Sequence, residues 1–169
     1  MIKTQFRKSF VFFFTLVMGI GFSAQSVSAK DLASRLGVGY RNAYAFDLPS
    51  LATVYYPSSD VGFVGALGID TEDMNSKFAF SAGVRRIIFK EDNMNFFMGG
   101  MLSLVSKETA GSTDSGFDLA GLVGSEFFLP GLENLGFNIE SGVSVTNVKK
   151  VRFRTTGDSF IRAGIIFYF

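Results

Sequence analysis

The C-terminal segment alternates in side-chain character, and this alternation constrains the fold of the chain more than any other feature. One parity is apolar throughout and consists of Ile161, Ala163, Ile165, Phe167 and Phe169. The other parity contains Arg162 and Gly164. Successive side chains of a β-strand point to opposite faces. The segment is therefore predicted to be a strand with one wholly apolar face.

The same period of two recurs along the rest of the chain. It is clear in residues 61–70, 117–128 and 135–146, and rougher in 32–41, 51–56, 76–89 and 93–105. With the last segment this makes eight strands, most of them long enough for a tilted membrane span of about 9–11 residues. A sheet in hydrocarbon must close on itself to satisfy its backbone. The pattern predicts an all-β fold, an eight-stranded antiparallel up-and-down transmembrane β-barrel, over residues 30–169.

Residues 1–29 have the character of an export signal. Lys3, Arg7 and Lys8 precede an apolar run at 10–20, and Val27-Ser28-Ala29 supplies the small residues that signal peptidase requires. The alternative is a retained membrane helix, which needs about 20 apolar residues and is longer than this run. We expect cleavage before Lys30, after which the remaining chain carries a formal net charge of −2.

Composition narrows the classes of function. The chain has no His and no Cys. Most zinc sites, catalytic triads and common acid–base pairs therefore have no residues to build them. A nearly neutral barrel has no electrostatic footprint for nucleic acid. We expect no catalytic, cofactor-binding or metal-binding residues and no nucleic-acid partner.

The connections predict an orientation. Tight turns at 57–60 and 90–93, with a third turn at 130–134, carry Pro, Asp, Asn or Gly. The opposite connections, at 42–50, 71–75, 106–115 and 147–157, are mostly longer. Short periplasmic turns and longer extracellular loops are typical of bacterial outer-membrane barrels. Aromatic residues also gather near the strand ends that face the tight turns, as expected at a membrane interface.

Charged residues on the predicted inward parity are candidates for an internal site. They are Lys77, Arg85, Asp118, Glu126, Glu140 and Arg162. They form either a proton or ion path, or a filling of ion pairs that satisfy each other inside a narrow barrel. Arg86 breaks the pattern of its strand. It lies either at an interface on the lipid side or after a β-bulge.

A second candidate is the basic cluster of Lys149, Lys150, Arg152 and Arg154, which falls in the last predicted outer loop. Cations of this kind bind phosphates of lipopolysaccharide or an acidic surface partner. The alternative is a solvated loop that binds nothing in particular.

The C-terminal sequence Ala163-Gly164-Ile165-Ile166-Phe167-Tyr168-Phe169 resembles the terminal strand signal of outer-membrane barrels. The whole of 30–169 resembles the small eight-stranded barrels of the outer-membrane protein A and X type. The resemblance implies that Ile165, Phe167 and Phe169 are read by the barrel assembly machinery. It also implies a location in the cell outer membrane, with outer-membrane lipid and lipopolysaccharide as partners.

The leading functional hypothesis is a non-enzymatic outer-membrane barrel, structural or surface-exposed, with loops available for adhesion or envelope contacts. A narrow pore is a variant of it. A soluble periplasmic barrel that binds an apolar ligand is the main alternative, although it needs a polar exterior. A lipid A-modifying enzyme is disfavoured, because such enzymes in the resembling families rely on His.

Overall fold

The computed structural model describes residues 30–43, 45–155 and 161–169, so the predicted export signal at 1–29 lies outside the described residues. This part of the chain consists of β-strands joined by turns. The strands are β1 (Leu36–Asn42), β2 (Pro49–Tyr55), β3 (Val61–Asp70), β4 (Lys77–Glu91), β5 (Met94–Thr109), β6 (Ser112–Leu129), β7 (Leu132–Asn147), β8 (Val151–Thr155) and β9 (Arg162–Tyr168). No helix within the described ranges is long and apolar enough to cross a membrane.

The strands form one closed antiparallel barrel. Each strand from β1 to β7 pairs with the next, and β9 pairs with both β1 and β7. The segments β8 and β9 both lie beside β7, with β8 opposite 143–147 and β9 opposite 135–140. They therefore occupy one position in the barrel. The predicted eight-stranded antiparallel barrel is confirmed.

Closure leaves the barrel with an inside and an outside that follow the sequence alternation. In β9, Arg162, Gly164, Ile166 and Tyr168 are buried, and the residues between them are exposed. Arg86 is exposed beside Val84, and the register shift in β4 comes after it, between Ile87 and Phe89. Arg86 thus points outward in a regular part of the strand. This favours a position on the outer surface near an interface over a change of face caused by a β-bulge.

We call the end of the barrel that holds Leu36 and Tyr168 the inner end, and the opposite end the outer end. The turns predicted to be tight, at 57–60 and 90–93, are short, and the third is shorter than the predicted 130–134, because β7 begins at Leu132. In this third turn Gly131 has a φ of +84°, and it directly follows Pro130 in a two-residue turn. Pro at the first and a positive-φ Gly at the second central position define a type II turn.

Two of the predicted outer loops are wrong in extent. Residues 106–115 are almost all strand, because β5 and β6 continue to a two-residue turn at Ala110 and Gly111. Both turn residues have positive φ, +51° and +79°, as in the type I′ turns whose twist matches a hairpin. Residues 151–155 of the predicted loop 147–157 likewise form β8. These segments were predicted to be loops because they are rich in polar residues. A hairpin that extends beyond the rim of the barrel can be polar on both faces and still be strand.

Side chains close the barrel at both ends. At the inner end a cluster of buried apolar residues includes Leu32, Tyr56, Phe97, Phe128 and Tyr168. At the outer end the β1–β2 connection folds into the mouth, where Ala45 and Leu48 pack against Val105. The charged interior residues lie between these two apolar layers. Side chains therefore occupy the interior between the two ends.

Candidate functional site

The deepest polar cluster of the interior centres on Arg85. Its Nη2 atom lies 2.9 Å from Oε2 of Glu126, and it also donates to the hydroxyl of Tyr168 at 2.7 Å. The Tyr168 hydroxyl donates in turn to Oε1 of Glu126 at 2.8 Å. The Arg85 guanidinium also lies 5.0 Å from the ring centre of Tyr56 and 4.7 Å from that of Phe97. Nη2 of Arg85, the carboxylate of Glu126 and the hydroxyl of Tyr168 therefore form a closed network of three groups.

A second set of charges lies nearer the outer end. Arg41 contacts Glu140 at 2.5 Å between Nη2 and Oε2, and both side chains are almost completely buried. Arg162, the cross-strand partner of Glu140, forms an ion pair with Asp47 at 2.8 Å. Asp47 belongs to the β1–β2 connection, so this pair fastens the connection over the outer mouth.

The third set of charges is built around Asp118, which is fully buried. Its Oδ2 atom accepts a hydrogen bond from the Thr146 hydroxyl and lies 3.8 Å from Nη2 of Arg154. Asp118 and Thr146 are direct cross-strand partners, which explains why the two side chains meet.

The predicted interior residues therefore fall into separate groups. Arg85 and Glu126 meet, Glu140 pairs with Arg41, Arg162 pairs with Asp47, and Asp118 lies beside Arg154. Lys77 differs from the rest, because its side chain is 24% exposed at the outer end of β4 and lies 3.7 Å from Asp70. Opposite charges in direct contact favour a self-satisfied filling over a continuous ion path.

Arg41 and Asp47 were not predicted from the sequence to be interior ion-pair partners. Arg41 shares a parity with Gly37 and Gly39, opposite the exposed Val38 and Tyr40. The alternation of β1 therefore contained the signal for Arg41. Asp47 lies in a connection, where no periodicity indicates which way a side chain points.

The predicted basic cluster is divided between a turn and a strand. Lys149 and Lys150 lie in the turn after β7, whereas Arg152 and Arg154 lie in β8. Arg152 and Arg154 pair across the sheet with Thr146 and Ser144, whose side chains are buried in the interior. Directly paired residues share a face, so both arginines face the barrel axis. In the sequence, apolar Val151 and Phe153 alternate with the two arginines, and this alternation indicates a strand.

The aromatic residues near the inner end do not all lie on the outer surface of the barrel. Tyr56, Phe128 and Tyr168 are buried in the barrel. Their sequence neighbours Tyr55, Phe127 and Phe167 are exposed. Adjacent residues of a strand cannot share a face. In each pair of neighbouring aromatic residues, one is therefore exposed on the outer surface and the other helps to close the inner end.

Ile165, Phe167 and Phe169 of the predicted assembly signal lie on the outer surface, and Phe169 is 70% exposed. Arg35 holds the backbone beneath them: its side chain donates to the carbonyl oxygens of Tyr168 and Phe169 at 3.0 and 3.2 Å. Arg35 therefore links the start of β1 to the end of β9, where the barrel closes.

The described residues offer no group of three or more acidic, His or Cys side chains that could hold a metal ion. A cavity of about 370 Å³ lies at the outer mouth. Its lining includes Phe46, Lys107 and Asp114 together with the basic residues of the β7–β8 region.

The fold defines a closed eight-stranded antiparallel barrel. Neither the protein-family models nor the curated proteins contain a match to this sequence. Among solved structures, the chain is similar to the crystal structure of Neisserial surface protein A, with 16% identity and a TM-score of 0.38. The match covers 79% of this chain and 91% of that chain.

Proposed function

We propose that this chain is a non-enzymatic β-barrel of a bacterial outer membrane, exported with removal of 1–29, which stabilises the envelope or presents its outer loops. The observation that carries the proposal is the outer surface of the barrel. Large apolar side chains are exposed all around it, and they include Leu51, Phe63, Leu67, Phe80, Leu102, Leu104, Leu119, Val123, Ile139, Val143 and Ile165.

An apolar exterior of this extent suits lipid and not water. Soluble monomers rarely expose a continuous apolar patch larger than a few hundred Å². Charged side chains such as Arg85, Glu126 and Asp118 are buried and point into the barrel. The distribution is that of a membrane barrel and the reverse of a soluble ligand-binding barrel.

Arg86 is consistent with this placement. It is a charged side chain on the outer surface, and it lies close to the inner end, five residues from the end of β4. A long cationic side chain near a membrane surface can direct its charge into the headgroups. The same side chain at mid-height of the barrel would argue against a lipid-facing exterior.

The closed backbone supports the proposal independently. In the barrel wall β1 to β7 and β9 each pair with a neighbour on both sides, and β8 pairs with β7, so the sheet closes on itself. This is the condition for a sheet to exist in hydrocarbon, where each unpaired backbone group costs several kcal/mol.

The interior supports a role without catalysis. Arg85, Glu126 and Asp118 are engaged with neighbouring side chains between two apolar closures. In this proposal, lipopolysaccharide and other outer-membrane lipids surround the barrel, and the barrel assembly machinery recognises the exposed Ile165, Phe167 and Phe169 during insertion.

Fractionation of cells that express the full chain tests the proposal. We expect the protein in the outer-membrane fraction, resistant to sodium carbonate and beginning at Lys30. Unheated protein should migrate differently from boiled protein in detergent gels, because a folded barrel persists until heated. Release into the carbonate wash, as a soluble periplasmic barrel would show, contradicts the proposal.

A further inference from the structure

A cavity of about 490 Å³, which we call the inner cleft, lies on the outer surface of the barrel near the inner end. It is lined by Asp60 of the β2–β3 turn and by residues 86–90 of β4. The backbone N–H of Ile87 donates to the carbonyl oxygen of Asp60 at 2.7 Å. The two elements that form the cleft are therefore hydrogen-bonded to each other, and the turn is fixed beside the strand.

Arg86 gives the inner cleft a cation that is available to a ligand. Nζ of Lys90 lies 2.9 Å from Oδ1 of Asp60, so these two charges compensate each other. The pKa of Asp60 is lowered mainly by the hydrogen bond from Lys90, and Arg86 makes the smallest contribution. The Arg86 side chain is exposed and takes part in no direct ion pair within the described ranges. Its cross-strand neighbours are the apolar Val61 and Met98.

A β-bulge gives the cleft an apolar surface next to this cation. The register of β4 against β5 shifts between Ile87 and Phe89, and Ile88 and Phe89 are both exposed. In a regular strand, adjacent side chains point to opposite faces. The bulge therefore places two consecutive apolar side chains in the same cleft as Arg86. A cation beside an apolar surface suits a ligand that has an anionic group attached to an apolar part.

A second depression, which we call the apolar groove, lies on the same wall of the barrel. It has a volume of about 280 Å³, and its lining includes Leu51, Thr53, Leu67 and Phe80. Gly65 also lines it and has no side chain to fill the space beside Leu67 on β3. No charged side chain lines this groove within the described part of the chain. The groove therefore suits an apolar chain.

The cleft and the groove are placed for a single elongated ligand. Val61 on β3 pairs with Arg86, and Gly65 lies four residues nearer the outer end, about 13 Å along the strand. Phe63 and Val84 form an exposed apolar pair on the surface between them. An acyl chain of ordinary length spans this distance. A lipid with its phosphate at Arg86 can therefore extend one chain over Phe63 into the groove.

We propose that this face of the barrel binds one glycerophospholipid, with its phosphodiester at Arg86 and one acyl chain in the apolar groove at Gly65. Phosphate oxygens accept charge-assisted hydrogen bonds from Arg in a bidentate manner. Ile88 and Phe89 would contact the glycerol and the start of the chains. The inference rests on the proposed function, because the outer surface must contact lipid. It adds a defined lipid at a defined height, which would fix the depth of the inner end in its leaflet.

Native mass spectrometry of the folded full-length barrel, released from detergent, tests the proposal with dioleoylphosphatidylethanolamine as the probe. This lipid has no net charge at neutral pH, so diffuse attraction to surface cations is small. We expect saturable binding of one molecule per barrel. Dioleoylglycerol, which lacks the phosphate, and glycerophosphoethanolamine, which lacks the acyl chains, should each bind about tenfold more weakly or less.

Two variants test the two halves of the site. Arg86→Met should weaken binding about tenfold, the size expected for loss of a hydrogen bond to a charged group. Gly65→Leu fills the apolar groove and should weaken binding by a similar factor, as when about two methylene groups lose their contacts. Lys150→Met, at the outer end, and Gly121→Leu, on the exposed surface of β6, are the matched controls and should leave binding unchanged. Gel mobility of unheated protein verifies that each variant folds.

The remaining outcomes decide against the site. Absence of a saturable one-to-one complex with the wild-type barrel overturns the proposal. Equally tight binding of dioleoylglycerol or of glycerophosphoethanolamine also overturns it, because the site requires both the phosphate and a chain. Losses in Lys150→Met or Gly121→Leu as large as those in the test variants would show unspecific association. A barrel that resists carbonate extraction but does not bind the lipid refutes this site alone, whereas release into the wash refutes the proposed function.

Discussion

The guanidinium of Arg85 on β4 lies 2.9 Å from the carboxylate of Glu126 on β6, with both side chains almost fully buried. Their strands are separated by β5, so the pair reaches across the interior and not along one sheet ladder. Together with Tyr168 on β9, the pair connects three separate parts of the barrel wall. The interior charges therefore brace the barrel as well as fill it.

Removal of one partner of this pair should be costly. Arg85→Leu leaves Glu126 buried without its cation, and loss of one partner of a buried ion pair costs about 3–5 kcal/mol. Arg85→Leu combined with Glu126→Leu should recover much of this loss, since no unpaired charge remains. Urea unfolding of the barrel in lipid vesicles measures both free energies. If the single and double variants were equally destabilised, the ion pair would have no bracing role.

The pair between Lys90 and Asp60 provides a matched control, because its N–O distance is also 2.9 Å but it lies at the surface. Exposed pairs contribute little, so Lys90→Gln should barely change the urea midpoint. The hydrogen bond from Lys90, aided by Ser59, lowers the pKa of Asp60 below its ordinary value. The small stabilisation from this pair is therefore present above the ordinary carboxyl pKa and lost as the pH falls through the lowered one. A large effect of Lys90→Gln at neutral pH would contradict this account.

The filled interior predicts that the wild-type barrel does not conduct ions. Tyr168 and Leu32 close the inner end, and Leu48 closes the outer end. In planar bilayers we expect no discrete current steps. A variant with Leu32, Tyr168 and Leu48 all changed to Ala should show leak currents. A large, stable conductance of the wild-type barrel would establish an open pore and contradict the sealed interior.

Close approach of β1 and β9 makes Gly39 sensitive to substitution. A Cβ atom at Gly39 would overlap the carbonyl oxygen of Ile165, whereas one at Gly100 would lie 3.6 Å from its nearest neighbour, the carbonyl oxygen of Ala120. Overpacking costs about 1–3 kcal/mol, and more where backbone must move. Gly39→Ala should therefore lower the urea midpoint clearly, and Gly100→Ala should not. Equal midpoints for the two variants would show that β1 and β9 are not packed as described.

The exposed C-terminal aromatic predicts an effect on assembly that is separate from stability. Phe169→Ser should lower the amount of folded barrel in the outer membrane of cells, while the purified variant refolds in detergent like the wild type. Leu129→Ser, at the exposed inner end of β6, is the matched control and should assemble normally. Quantification of the heat-modifiable form in membranes measures the difference. Similar levels for both variants would argue against a terminal assembly signal.

The strand content of this barrel follows from local alternation and could be predicted from sequence. Residues 61–70 form β3 with the predicted bounds, because each outward apolar residue there has an inward neighbour that is small or apolar. The side on which Arg85, Glu126 and Glu140 lie follows from the same rule. Alternation fixes the face of a side chain, although not its partner.

The partners and the rim depend on contacts between distant parts of the chain. Nothing near Asp47 in sequence indicates that it meets Arg162, because the β1–β2 connection is placed by packing of Ala45 and Leu48 in the mouth. The extension of β5 and β6 to Ala110 likewise depends on pairing between two polar segments. Composition alone cannot separate such a hairpin from a loop.

The central claim is that the apolar outer surface of the barrel contacts lipid acyl chains. The chain contains no Trp, so a single introduced Trp reports its own surroundings. Leu119→Trp lies in the middle of the exposed surface of β6, and Thr113→Trp lies in the hairpin beyond the rim. In vesicles of brominated lipid, this account predicts strong fluorescence quenching of Leu119→Trp and little of Thr113→Trp. Equal, water-like emission from both positions would contradict it.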